Sequence, residues 1–169
     1  AKWDDPKNFP WTVAWQPTYR DEALAYAKYI KASHPNAKVG VLYQNDDLGK
    51  DYLKALEEGL GGADKIVSKA PYETTQPTID TQILLLKSSG ADVVLVAATP
   101  KFAAQAIRKI GEIGWKPTTI ISNVSASISG VLEPAGRENS TGVISSQYLK
   151  DSTDPGLKDD PGYQEWLAF

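Results

Sequence analysis

Asp92-Val93-Val94-Leu95-Val96-Ala97-Ala98 is an unbroken apolar run opened by an acid, and Thr99-Pro100 follows it at once. A short run without polar alternation reads as a strand buried on both faces, the kind found at the centre of a parallel sheet. Thr99 suits a helix N-cap, and Pro100 suits the first helical position, where the missing N–H removes no helical bond. The helix that follows carries Ala103, Ala106, Ile107, Ile110 and Ile113 on one face and stops at Gly114.

Outward from this unit the same alternation repeats. Tyr19 to Ser33 reads as a helix with Ala23, Ala27 and Ile30 on one face. Its acids, Asp21 and Glu22, sit early and its lysines, Lys28 and Lys31, sit late, as the helix dipole prefers. His34-Pro35 ends it. Lys38 to Tyr43 is a second apolar strand, and the polar turn Gln44 to Asp47 leads into a helix presenting Tyr52, Leu56 and Leu60 before Gly61-Gly62. Ile66 to Tyr72 is a strand broken by Pro71. After the polar loop Glu73 to Pro77 comes a helix presenting Ile79, Ile83 and Leu86 and ending at Gly90. Downstream lie a strand at Thr118 to Ile121, a Ser-rich loop at Ser122 to Ser129, and a last strand at Gly142 to Tyr148. Residues 1–17 hold Trp3, Trp11 and Trp15 among Pro6, Pro10 and Pro17, with room for one short strand at Trp11 to Gln16. Residues 149–162 are rich in Asp, Pro and Gly, as domain boundaries are.

Strands alternating with helices predict an α/β fold: a doubly wound, mainly parallel sheet with helices on both faces. Ligands of such sheets sit beyond the carboxyl ends of the strands. Gln44 to Leu48, Thr99 to Phe102 and Ser122 to Ser127 therefore gather at one edge, and the function is expected there.

The composition narrows the partners. The chain has 169 residues, 41% hydrophobic and 23% charged, enough for a core and a solvated surface, so disorder and coiled coil are excluded. A net charge of −3 provides no basic field for a phosphate backbone, so nucleic acid is not expected. The absence of Cys removes disulfides, thiolate metal ligands and a thiol nucleophile. No apolar run approaches the length of a membrane span.

Catalytic chemistry is hard to assemble from what remains. The single His stands at a helix end, where an imidazolium favours the dipole, so a structural role is the better reading. No G-x-S-x-G elbow precedes a helix. Gly59-Leu60-Gly61-Gly62 follows a helix rather than a strand and reads as a stop, not a dinucleotide fingerprint. Gly49-Lys50-Asp51 lacks the Walker spacing. Asp46-Asp47 after a strand offers a Mg²⁺ pair, but Asp92 opens its strand at the opposite edge, and helix N-capping is the simpler account. No metal or cofactor is implied.

Val39 to Tyr52 (VGVLYQNDDLGKDY) resembles the type I periplasmic solute-binding proteins of ABC importers, in the branch named for leucine, isoleucine and valine. Ser89 to Val96, Ala106 to Gly114 and Gly142 to Ile144 continue the resemblance in the same order. It implies two α/β lobes joined by crossing hinge strands, with the solute held between them and a membrane permease as partner. It also implies a periplasmic location and a binding role rather than an enzymatic one. On this reading the chain is the second lobe: residues 1–17 arrive from the first lobe, 18–148 form the ligand-binding lobe, and 149–169 return. The absence of Met and the apolar last residues fit an internal piece of a longer protein, with a processed product as the plainer alternative.

Two positions depart from the amino-acid binders of that branch. Where those carry an aromatic residue before the Gly-Lys helix start, this chain has Leu48. Where they carry the acid that receives the ligand's ammonium, this chain has Asn123. An ammonium closed into a cleft without a carboxylate is costly, so the departures point away from branched-chain amino acids. Gln44, Asn45, Leu48, Thr99, Lys101, Phe102, Asn123, Ser125 and Ser127 are the candidate ligand contacts. With the N–H groups at the start of the helix after Thr99, they suit a carboxylate on an aromatic or apolar body. For each polar side chain among them, simple satisfaction of loop backbone is the competing role.

Two other functions stay open at this level. The same lobe serves equally as the sensing domain of a receptor or regulator. A receiver-like or nucleotide-dependent enzyme domain would rest on Asp46-Asp47. Exposed apolar hinge surfaces, including Trp3, Trp11 and Trp166, are expected to favour self-association.

Overall fold

The computed structural model describes residues 5–152 and 154–169. Four strands, β1 (Val39–Gln44), β2 (Ile66–Tyr72), β3 (Val93–Ala97) and β4 (Thr118–Ile121), form one sheet in the order β2-β1-β3-β4. Every pairing is parallel. Four main helices precede, connect or cross over the strands: α1 (Tyr19–Ser33), α2 (Asp47–Leu60), α3 (Asp80–Ser88) and α4 (Pro100–Glu112). This is the doubly wound architecture expected from the alternation of patterns.

The sheet separates two apolar layers. On one face Val41, Val93, Leu95 and Ile120 meet Ala23, Ala27 and Ile30 of α1 and Leu56 of α2. On the other, Leu42, Val94, Val96 and Ile121 meet Ile83 and Leu86 of α3 and Ala103 and Ile107 of α4. Successive strand residues alternate between the layers, which is why the whole of β3 had to be apolar. Each buried Val, Leu or Ile among them contributes about 1.5–3 kcal/mol on burial.

Local chemistry sets the boundaries. Thr18 and Asp21 close a capping box at the start of α1, while Gly61, at φ 95, ends α2 in the left-handed conformation that glycine adopts without a Cβ clash. Asp46 caps α2, its Oδ1 accepting from Gly49 N at 3.3 Å, so the simpler of the two roles for Asp46-Asp47 is the one seen.

Several expectations are corrected. Pro71 does not break β2, because β2 is an edge strand. Tyr72 O accepts from Asn45 N on the sheet side, so Pro71 turns its missing N–H outward. Gly142 to Tyr148 is not a full strand: Ile144 alone bridges Ile120 on the free edge of β4, after which Ser145 and Ser146 turn to other partners. Trp11 to Gln16 is irregular and pairs with no strand among the described residues, leaving Trp11 and Trp15 about nine-tenths exposed or more. Trp3 lies outside the described residues. A short helix, Pro161–Ala168, lies within residues 149–169.

Candidate functional site

The carboxyl ends of β1, β3 and β4 open on one edge, and the three predicted loops meet there. Helix α2 starts against the end of β1, where Gly49 comes so near that a Cβ would lie 2.0 Å from Gln44 O. Only glycine admits this approach, which fixes the turn Gln44 to Leu48.

Gln44 and Thr99, predicted separately as ligand donors, are bonded to each other. Thr99 Oγ1 donates to Gln44 Oε1 at 3.1 Å, and Tyr72 OH donates to the same oxygen at 2.9 Å. Thr99 N in turn donates to Tyr72 OH at 3.2 Å, and Gln44 Nε2 donates to Asp46. Thr99 thus occupies the N-cap position of α4 without its hydroxyl capping the helix. The Phe102 ring is buried against Tyr72 with centroids 4.4 Å apart, and exposed Lys101 places Nζ 5.0 Å from the Phe102 ring centre.

The remaining candidates have different surroundings. Asn45 is exposed and its Nδ2 donates to Glu73 Oε1 at 2.6 Å, while Leu48 is half-buried against the α1–α2 layer. Ser125 is fully buried and donates to Ala98 O at 2.7 Å, a bond that Ser122 duplicates at 3.3 Å. Ser127 is exposed and accepts from Gly130 N at 3.0 Å within its own turn. Asn123 is half-buried: its backbone N–H is held, but its side-chain amide bonds to none of the described residues.

What holds Asn123 is a group that pattern reading passed over. Glu22 of α1 is only 6% exposed. Its Oε1 accepts from Asn123 N at 2.8 Å and from Tyr26 OH, and its Oε2 accepts from Tyr52 OH of α2 at 2.6 Å. Burial, and then the bond to Glu22, raise the Tyr26 and Tyr52 phenols well above their ordinary range, so both stay protonated donors. Tyr72 is also raised by burial, with its Thr99 bonds acting the other way. A signal for Glu22 was present: it shares the buried stripe of α1 with Tyr26 four residues on, an acid on the apolar face.

At the opposite edge of the sheet a hollow of about 350 Å³ opens between the end of α4 and the start of β4, beside Ile110, Trp115, Pro117, Asn139 and Val143. It faces away from the strand ends where the polar groups converge. Among the described residues no group of three or more His, Asp or Glu side chains could hold a metal ion. No helix among them is long and apolar enough to cross a membrane.

The sequence pattern that defines the periplasmic binding proteins matches residues 2–167. The chain is 28% identical over 134 residues to a Leu/Ile/Val-binding protein homolog from Brucella abortus, 77% of this chain and 33% of the relative. It thus spans about a third of the length of the curated relatives it matches. Its fold is similar to that of a putative branched-chain amino acid ABC transporter from Silicibacter pomeroyi, with TM-score 0.76 and 18% identity over 98% of this chain and 44% of that one. It is also similar to a fatty acid ABC transporter substrate-binding protein from Thermomonospora curvata, with TM-score 0.70 and 19% identity over 89% of this chain and 39% of that one. With its parallel sheet, its converging carboxyl-edge loops and a family match over nearly its whole length, the chain belongs to the periplasmic binding protein family.

Proposed function

We propose that this chain is the second lobe of a periplasmic receptor of an ABC importer, and that the carboxyl edge of its sheet is half of an interlobe cleft. The solute is a small organic carboxylate with an aromatic or apolar body, and a membrane permease receives it. The observation that carries the solute class is Asn123. Its backbone is pinned and its neutral amide has no partner among the described residues, at the position where an ammonium-binding site of this family would carry an acid. Asn45, Leu48, Thr99 and Lys101 line the rest of the lip, with Phe102 buried beneath Lys101 as its apolar floor and Ser127 beyond; Gln44 and Ser125 hold the loops behind it. A relative of this fold named for fatty acids supports an apolar carboxylate as a cargo that the scaffold accommodates.

The two ends of the chain support the lobe assignment. Tyr148 OH donates to Gln16 Oε1 at 2.5 Å, so the last residue of 18–148 meets the end of the entry segment, and the points of entry and exit lie side by side. Closure of two lobes buries the solute between them, and one lobe supplies only part of the contacts.

The test is calorimetry with benzoate, octanoate and leucine on a two-lobed protein containing this chain and on residues 1–169 alone. The two-lobed protein is expected to bind a carboxylate without an ammonium, and the lone chain to bind none measurably. Preference for leucine, or tight binding of benzoate by the lone chain, would refute the proposal.

A further inference from the structure

We infer that Glu22 is a positioning residue for the interlobe site: its buried carboxylate sets the height of the Asn123 loop and, through Tyr26, couples that loop to the outgoing segment at Ser146. The inference rests on the reading of the carboxyl edge as a binding lip, and it assigns a role to a buried charge that solute contact does not explain.

The geometry is that of a three-way clamp. Glu22 and Tyr26 come from α1, Tyr52 comes from α2, and the Asn123 N–H comes from the loop after β4. Tyr26 OH extends the clamp, lying 2.9 Å from Ile121 O and 3.0 Å from both Ser146 N and Ser146 Oγ. Ser145 adds a bond of its own, its hydroxyl donating to Ile121 O at 3.1 Å. The end of β4, the candidate lip and the outgoing chain therefore meet within two bonds of one carboxylate. The outgoing chain is the stretch that pairs with Gln16 through Tyr148. A displacement of the hinge segments is transmitted to Asn123 through groups already in contact.

The chemistry also says what Glu22 does not do. A carboxylate that already receives two hydroxyls and an amide inside the lobe has little left to offer a ligand cation. The acid that Asn123 replaces has not moved to Glu22; the charge is turned inward to hold the backbone.

Amide hydrogen exchange on this chain, resolved residue by residue, tests the clamp, with Leu95 of β3 as the reference for global opening. Glu22→Gln keeps the volume but sets an NH₂ group against donors. Tyr52→Phe removes one donor and leaves the Asn123 bond in place. Relative to Leu95, exchange at Asn123 is expected to rise about tenfold or more in Glu22→Gln and to change little in Tyr52→Phe. Equal acceleration in the two variants overturns the positioning role. Tyr26→Phe supplies an independent arm should Glu22→Gln not fold: the Ser146 amide accelerates while Asn123 stays protected, and the reverse pattern overturns the coupling. No solute enters these measurements, so protected amides alongside a failed solute screen would sink the proposed cargo and leave the clamp standing.

Discussion

On the β1–β3 side of the carboxyl edge, Gln44, Tyr72 and Thr99 bond one another through neutral groups, touching a charge only where Gln44 meets Asp46. On the α1–β4 side, Glu22 holds a whole carboxylate among Tyr26, Tyr52 and the Asn123 amide, out of reach of water. The neutral cluster is redundant, because Gln44 Oε1 has two donors and keeps one if the other is removed. The ionic cluster doubles a donor too, at Glu22 Oε1, but what its donors hold is a charge. Desolvating a carboxylate is expensive and the donors around it are what offset that cost, so each donor lost here weighs more on global stability than one lost from the neutral cluster. Two clusters of similar size at one edge should therefore respond very differently to the loss of one group.

The largest effect is expected at Glu22. Glu22→Ala takes the acceptor from the Tyr52 phenol and the Asn123 amide, while Tyr26 OH keeps Ile121 O, and should lower stability by about 3 kcal/mol, read as a reduced urea midpoint at unchanged slope. A loss under about 1 kcal/mol would erase the distinction between the clusters.

Next is Tyr52→Phe, which removes a donor to a buried charge and should cost about 2 kcal/mol near neutral pH. This variant also sharpens the comparison through pH. Tyr26 and Tyr52 are raised above the ordinary tyrosine value of 10.0, so the unfolded chain releases these protons first as pH rises. The stability they contribute is complete below pH 10 and declines as pH climbs beyond it. Denaturation across that range should show a shallower alkaline decline in Tyr52→Phe than in the parent chain; an unchanged decline would mean that Tyr52 ionises as freely folded as unfolded.

The smallest effect belongs to the neutral cluster. Tyr72→Phe should cost about 1 kcal/mol and Thr99→Ala about half of that, since each leaves Gln44 Oε1 one donor. Thermal or urea midpoints suffice to read it. A Tyr72→Phe loss equal to that of Tyr52→Phe would show that charge is not what separates the clusters.

The elements were legible to different degrees. Helix α1 and strand β4 lie at the residues that the pattern indicated, and β1 and β3 differ from it by a residue at their ends. Pro71 misled because a proline's effect in a strand depends on whether that strand is at an edge, a property of sheet order rather than of the residue. Gly142 to Tyr148 carries strand-like residues, but its serines find better partners in Tyr26 and Ile121 O than in further ladder bonds. Thr99 was correctly placed before a helix, yet its hydroxyl turned to Gln44 across 55 residues.

Alternating apolar runs, capping residues and stop glycines were sufficient for the doubly wound sheet and for which three loops share an edge. Hydrophobic burial and backbone conformation act residue by residue and leave a periodic trace along the chain. The partners of polar groups leave no such trace. Glu22 and Asn123 are 101 positions apart, and Tyr26 and Ser146 are 120 apart. Whether a glutamate solvates a helix end or anchors a loop depends on which atoms lie within about 3 Å of it. That proximity exists only once two helices and a sheet have packed around the carboxylate.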